Sequence, residues 1–164
     1  MPAGRPYFVS SGLIAISGTS AVPMLYGTTT STADVNIAAI RVACEAASGG
    51  TPPGNASLLF QLAVVTGSVG GGGGAITAAH TGTSTQAANT TFISGSTALT
   101  GLTKSTVIWE HPIALTAGSS WEDTFVPGEF ERNFAVSVQF AVYYLAANGA
   151  GTSMNAKCTM DVLE

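Results

Sequence analysis

The side chains that most often carry out chemistry are few and far apart in this sequence. The two histidines are His80 and His111, and the two cysteines are Cys44 and Cys158. Metal-binding motifs place such residues a few positions apart, and no HxH, HExxH or CxxC pattern is present. No Gly-x-Ser-x-Gly elbow is present either, and neither histidine has an identifiable acidic partner. We therefore predict no metal, no cofactor and no enzymatic activity.

Carboxylates form the main charged group of the chain, around a Pro-Gly turn and close to two tryptophans. The group comprises Glu122, Asp123, Glu129 and Glu131, and the tryptophans are Trp109 and Trp121. Paired carboxylates about 5 to 9 Å apart hydrolyse glycosides, and aromatic rings can bind sugars, so a glycosidase and a carbohydrate-binding module are alternatives. A solvated loop beside core or interface tryptophans is the interpretation we favour. An enzyme would require a concave site that groups His111 with Glu110 or Glu122.

Five consecutive glycines, Gly70–Gly74, lie inside a stretch rich in Gly, Ala, Ser and Thr that runs over residues 66–104. A phosphate-binding P-loop needs a lysine directly after its last glycine, and here the next lysine is Lys104. A dinucleotide-binding loop needs a helix after the glycines, and residues 75–91 do not have a helical pattern. The stretch is therefore interpreted as a flexible excursion from the fold.

The charge composition argues against nucleic acid and membrane partners. Charged residues make up only 9% of the chain, against about 25% in ordinary soluble domains. The net charge is −4, and the five basic residues are scattered, whereas phosphate binding needs clustered cations. No run approaches the roughly 18 apolar residues of a membrane-spanning helix. A surface this poor in charge favours close packing against other proteins.

The elements that must position these residues are predicted to be β-strands. Alternating or apolar segments are separated by turn dipeptides at regular spacing, which is typical of a β-sandwich or jelly roll. We predict one domain over residues 1–164, an antiparallel, jelly-roll-like β-sandwich of about eight strands with residues 1–7 as an N-terminal arm. The predicted strands are Tyr7–Ile16, Asp34–Cys44, Leu58–Val65, Thr90–Ile93, Thr106–Leu115, Trp121–Val126, Phe134–Leu145 and Ala156–Leu163.

The two cysteines lie in separate predicted strands. A disulfide is possible if those strands are neighbours, because the bond needs Cα atoms within about 7 Å. Two buried thiols that act as small apolar side chains are the interpretation we favour.

Two segments resemble small structural proteins of tailed bacteriophages. The first is GTTTSTADVNIAAIRVACEAASGGTPPGNASLLFQLAVV, which covers Gly27–Val65, and the second is the ending NAKCTMDVLE, which covers Asn155–Glu164. The resemblance is firm over Gly27–Val65, weaker over Trp109–Glu164 and absent from the Gly-rich excursion. Proteins of this kind decorate or cement capsids, and no catalytic residues are implied by the resemblance.

The resemblance implies a virion protein on the capsid surface, made in the host cytoplasm, with the major capsid protein and copies of itself as partners. A homotrimer that binds through several arms would multiply weak contacts. The expected contact segments are the N-terminal arm, the Gly27–Thr32 loop and the Gly-rich excursion. The expected contact residues are Pro2, Arg5, Tyr7, Gly27, Thr28, Thr29, Trp109 and Trp121. A receptor- or glycan-binding head-fibre or tail module and a self-assembling jelly-roll capsid protein remain alternatives.

Overall fold

The computed structural model describes residues 5–16, 21–46, 57–70, 74–80, 87–95, 99–125, 132–146 and 154–164. These residues form twelve β-strands, and none of them lies in a helix that could cross a membrane. The strands are β1 Pro6–Ala15, β2 Val22–Thr28, β3 Val35–Ala46, β4 Ser57–Gly67, β5 Gly74–Ile76, β6 Ala79–His80, β7 Thr91–Ser94, β8 Leu102–Ala114, β9 Ser120–Thr124, β10 Asn133–Phe134, β11 Gln139–Ala146 and β12 Met154–Leu163.

The strand order is that of a jelly roll. One sheet has the order β10-β3-β12-β1-β6, with β9 also paired to β3, and the other has the order β5-β7-β2-β11-β4-β8. All pairs are antiparallel. Eight strands form two four-stranded layers, β1-β12-β3-β9 and β2-β11-β4-β8, and the chain crosses repeatedly between the layers, as in jelly rolls. The predicted fold class is confirmed, and the four additional strands extend the edges of these layers.

The core lies between the two sheets and follows the alternation expected for strands with one buried face. In β12 the buried apolar side chains are Met154, Ala156, Cys158, Met160 and Val162. Four of these lie within the predicted strand Ala156–Leu163, where they alternate with Lys157, Thr159 and Asp161.

Strand β3 departs from the simple alternation that its sequence suggested. The pairing with β12 shifts between Ile37 and Ala39, which leaves Ala38 as an extra residue in a β-bulge. Ile37 and Ile40 are therefore both fully buried, although strict alternation places them on opposite faces. Because of the bulge, apolar residues before and after Ala38, which lie in opposite alternation along the sequence, all face the same core.

Two strand predictions over-simplified the chain. Strand β2 was not predicted, and it pairs with both β11 and β7. Pro23 and Gly27 inside it are residue types that are common in turns. The single predicted strand Phe134–Leu145 is in fact β10 and β11, separated by a turn in which Ser137 has a positive φ of 60°.

The described parts of the Gly-rich excursion pair with the edges of the sandwich. Strand β6 pairs with β1, and β7 lies between β5 and β2. The carboxylate of Glu164 accepts hydrogen bonds from the backbone N–H groups of Asn89 and Thr90, both at 2.6 Å. The short strand predicted at Thr90–Ile93 corresponds to β7, while residues 71–73, 81–86 and 96–98 lie outside the described residues.

The two cysteines face the core from neighbouring strands as free thiols. Cys44 is directly opposite Ala156, so Cys158 is its diagonal neighbour. Diagonal partners are about 7 to 8 Å apart, which is beyond the usual reach of a disulfide. Burial raises the pKa of Cys44 to about 11 and raises that of Cys158 further, so both thiols stay protonated at neutral pH. The interpretation as buried apolar side chains is confirmed.

Candidate contact surface and aromatic edge

Two loops at one end of the sandwich are joined into a single surface. We call residues 29–34 and 135–138 together the loop surface. The Thr29 hydroxyl donates to the carbonyl oxygen of Ala135 and accepts from the N–H of Val138, both at 2.8 Å. The Thr29 N–H also donates to the Val138 carbonyl at 3.0 Å. One threonine side chain thus connects the loop between β2 and β3 to the turn between β10 and β11.

Further hydrogen bonds fix the shape of the loop surface. The Ser137 N–H donates to the carbonyl oxygen of Thr30 at 2.9 Å, and the Thr30 hydroxyl accepts from the Ala33 N–H at 3.2 Å. At its base, the Asn133 amide donates to a carboxylate oxygen of Asp34 at 3.2 Å. Because the backbone groups are satisfied locally, little ordering remains to be done when a partner binds.

The exposed part of the loop surface is small, polar and nearly uncharged, with one apolar side chain at its tip. Val136 is 46% exposed, and Ser31, Thr32 and Asp34 of the other loop are exposed as well. Most of the large apolar side chains described in this protein are buried, so an exposed valine held on a fixed turn is a candidate contact residue.

Three predicted contact residues lie within or beneath the loop surface and are not on its exposed part. Gly27 and Thr29 are buried, and Thr28 is half-buried. A Cβ atom on Gly27 would lie 2.3 Å from Cζ of Phe140, so only glycine fits beside that ring.

The N-terminal predictions have different outcomes. Pro2 lies outside the described residues. Arg5 is exposed, and its backbone exchanges two hydrogen bonds with Glu164, at 2.7 and 3.1 Å, which extends the pairing of β1 with β12. Tyr7 is buried in the core, and its hydroxyl donates to the carbonyl oxygen of Ala87, so in the folded subunit it is not available as a surface contact.

The two tryptophans meet at the edge of the sandwich where β8 and β9 face each other. We call Trp109, His111, Trp121 and Asp123 the aromatic edge. The His111 ring stacks on Trp121 with centroids 4.1 Å apart and planes within 8°, and lies 6.4 Å from Trp109. Asp123 accepts a hydrogen bond from each indole, from Trp109 at 2.6 Å and from Trp121 at 3.1 Å.

The two tryptophans differ in exposure. Trp109 is buried and belongs to the core, so it is not available as a surface contact, whereas Trp121 is 45% exposed. Of the two, Trp121 alone keeps the surface position that a contact role requires.

A shallow groove of about 490 Å³ lies beside Trp121 on the outer face of the β3 sheet. Its lining comes from three neighbouring strands: Arg41, Val42, Ala43, Glu45, Ser120, Trp121, Glu122, Lys157 and Thr159. The Arg41 guanidinium contacts Glu122 and Asp161, each at 2.9 Å. Hydrogen bonds to these two carboxylates raise the pKa of Arg41, which keeps it charged and fixed in position.

The grouping that an enzyme would have needed is not formed. Glu110 accepts a hydrogen bond from Gln61 on the outer face of the second sheet, Glu122 pairs with Arg41, and His111 lies between the tryptophan rings. Within the described residues, no three His, Cys, Asp or Glu side chains are placed to hold a metal ion.

Comparisons of this chain with protein families, with curated proteins and with solved structures find no match. Functional conclusions therefore depend on the geometry and on the sequence resemblance.

Sequence reasoning missed the groove and the joining of the two loops. Arg41, Glu122 and Asp161 are far apart in the chain and meet only because β9 and β12 flank β3. The alternation of each strand indicated which side chains share a face, but not which strands are neighbours.

Proposed function

We propose that this chain is a virion structural protein of a tailed bacteriophage, a decoration protein that binds the outer capsid surface and stabilises the shell. The single observation that carries the proposal is the loop surface, which is preformed, almost uncharged and tipped by the exposed Val136. The first segment of the phage resemblance begins at Gly27, directly before this surface.

The low charge of the subunit supports attachment through apolar and hydrogen-bonded contacts. Several basic side chains are engaged within the subunit: Arg41 pairs with two carboxylates, Lys104 donates to Gln61, and Arg132 lies over the ring of Phe125. Few ion pairs are left to form with a capsid, so binding is expected to persist when salt is raised from about 0.1 to 1 M.

Repetition on an icosahedral shell makes a moderate contact sufficient. A standard interface buries about 1,200 to 2,000 Å² in total. We propose that the subunits act as a homotrimer, because three simultaneous contacts raise the overall affinity without any new kind of interaction.

The test is co-sedimentation of the purified chain with expanded shells that lack it, using Val136→Asp as the perturbed variant. A carboxylate at this position would have to be desolvated in the interface, so we expect binding at least about tenfold weaker, which is roughly 1.4 kcal/mol.

The matched control is Val107→Asp, because Val107 is a valine of similar exposure, 41%, on β8 and is not one of the loop-surface residues. It should bind within about twofold of the original chain, and both variants should melt like it because both sites are exposed. Failure of the original chain to bind shells, or release at 1 M salt, would contradict the proposal.

The jelly-roll strand order also favours a second candidate, a protein whose own copies build a shell, since viral capsid domains use this architecture. Imaging of the purified chain alone distinguishes the two. Closed particles would favour the self-assembling protein, and small discrete oligomers would favour the decoration protein.

A further inference from the structure

Two large apolar side chains are exposed on the outer face of the sheet that contains β1, β12, β3 and β9. Phe8 is 38% exposed and Leu13 is 53% exposed, and both lie on β1. The register places Phe8 opposite Asp161 and Leu13 opposite Lys157. Those two residues of β12 alternate with its buried side chains, so all four side chains are on the face that points away from the core.

The strand register arranges this face in rows that run from β1 through β12 and β3 to β9. We call the three central rows the β12 surface: Phe8, Asp161, Ala39 and Thr124; Ser10, Thr159, Arg41 and Glu122; and Leu13, Lys157, Ala43 and Ser120. The ion pairs agree with this arrangement. Arg41 contacts Glu122 in its own row and Asp161 in the adjacent row, each at 2.9 Å.

The β12 surface is complementary to itself about its middle row. The two outer rows both carry an apolar side chain on β1, Phe8 or Leu13, and they carry opposite charges on β12, Asp161 or Lys157. Suppose that a second copy is placed on this face by a two-fold axis along the middle row. Each outer row then faces the other outer row of the second copy, so apolar side chains meet each other and each carboxylate meets an ammonium group. A contact between identical surfaces requires such a pattern.

We infer that the β12 surface binds a second copy of this chain in a two-fold, face-to-face contact. Phe8 of each copy packs against Leu13 of the other copy, and Lys157 of each copy forms an ion pair with Asp161 of the other. Sheets that pack face to face lie about 10 Å apart with their strands nearly aligned. Side chains of these lengths span that distance from the two sides.

The charges of the β12 surface favour a second copy over a strongly acidic or basic partner. A partner of one sign would be repelled at one of the two outer rows. Among the described residues Lys157 takes part in no ion pair within the subunit, and Arg41 contacts Oδ2 of Asp161, which leaves Oδ1 for a cation. In the middle row Arg41 faces Arg41 of the second copy, and the carboxylates that pair with each guanidinium offset this repulsion.

The size of the β12 surface fits a weak but specific contact. Three rows on four strands cover roughly 20 Å by 20 Å on each copy, because strands are about 4.8 Å apart and alternate residues about 6.6 Å apart. The two copies together would bury on the order of 1,000 Å², which is at the low end for specific contacts. We therefore expect a dissociation constant in the micromolar range.

The contact is independent of the proposed capsid attachment, because the β12 surface shares no residue with the loop surface at positions 29–34 and 135–138. On a shell, it would connect copies that belong to neighbouring trimers. In solution, it forms without any shell. Either proposal can therefore fail without the other.

The test is sedimentation velocity of the purified full chain from about 1 to 500 µM. The average mass should double within this range, whatever the size of the smallest species. Leu13→Asp should weaken the doubling step at least about thirtyfold, because the contact contains the substitution twice and each carboxylate would lie desolvated against Phe8.

A second variant tests the ion pairs. Lys157→Glu places a carboxylate against Asp161 of the second copy, so the doubling step should weaken at least about tenfold, whereas Lys157→Arg should stay within about threefold. A two-fold axis along β12 would instead bring Lys157 against Lys157 of the second copy. With that geometry, Lys157→Glu would leave the association unchanged.

The matched control is Val107→Asp, because Val107 is 41% exposed and lies on β8 in the other sheet. It should associate like the original chain, and all of these variants should melt like it because their side chains lie on the surface. If Leu13→Asp melts at a lower temperature, Lys157→Glu decides. The inference is overturned if the mass of the original chain does not double, or if Lys157→Glu or a stably folded Leu13→Asp associates as strongly as the original chain.

Discussion

Substitution of Gly27 by alanine tests whether this residue serves the core rather than a surface contact. A methyl group at Gly27 would lie 2.3, 2.7 and 2.8 Å from Cζ, Cε2 and Cε1 of Phe140, the far end of the ring. Carbon atoms normally approach no closer than about 3.5 Å, so the ring would have to retreat by roughly 1 Å.

Phe140 has little room to retreat. It is fully buried, it stacks on Phe134 with centroids 4.3 Å apart, and it meets Phe92 edge-on at 6.3 Å. Overpacking of a filled core destabilises by about 1 to 3 kcal/mol. We expect Gly27→Ala near the upper end, about 3 kcal/mol, because the colliding ring is confined by two others. That loss is a large share of the roughly 5 to 15 kcal/mol typical of a domain.

The assay is urea denaturation of a double-mutant cycle with Phe140→Leu. Leucine lacks the three ring atoms that the new methyl meets, so Gly27→Ala should lose less than about 1 kcal/mol in that background. The expected coupling energy is therefore about 2 kcal/mol. The control is Gly74→Ala, because the nearest atom to a Cβ there is Ser94 Oγ at 3.8 Å, and stability should hardly change. Additive losses in the cycle, or an unchanged stability of Gly27→Ala, would refute the reasoning.

Two further predictions concern buried polar groups. Among the described residues, the Tyr143 hydroxyl is buried without a hydrogen-bond partner. Tyr143→Phe should therefore raise the free energy of unfolding, measured in urea, by about 1 kcal/mol. A loss of stability would mean that the hydroxyl is hydrogen-bonded. Burial raises the pKa of Cys44 from 9.0 to about 11, so the unfolded chain releases its proton first. Stability should be nearly constant below about pH 8 and fall by roughly 2 kcal/mol for this thiol as pH rises from there to 11. The fall should be shallower in Cys44→Ala, and an equal slope in both proteins would argue against the burial effect.

The layers of the fold were predictable because local pattern and tertiary burial agree in the long strands. In β12, alternating apolar residues occupy the inner face, and Lys157 and Asp161 lie on the outer one. Regular turn signals between such segments were sufficient to indicate a jelly-roll-like sandwich. The sequence pattern does not encode strand order, which became visible only in the pairing of β3 with both β12 and β9.

The failures arose where tertiary contacts override local preference. Pro23 and Gly27 suggest a turn, yet they lie in β2 because its neighbours β7 and β11 supply pairing and Phe140 occupies the space that a side chain at Gly27 would take. Tyr7 was assigned to a contact arm because it is close to the N-terminus, but the alternation of β1 turns it into the core. Position in the chain was a weaker guide than the face of the strand.

The two sides of the sandwich are completed by different means. Beside β1 and β2, the excursion adds strands β6, β7 and β5, which use backbone hydrogen-bonding groups that an open edge would offer to other chains. Beside β8 and β9, stacked rings close the core instead. The stacked rings cover the core and leave part of Trp121 exposed, whereas the added strands pair with the backbone hydrogen-bonding groups of the sheet edge. An exposed, fixed tryptophan is therefore found on the side where side chains complete the fold, away from the side that the excursion covers.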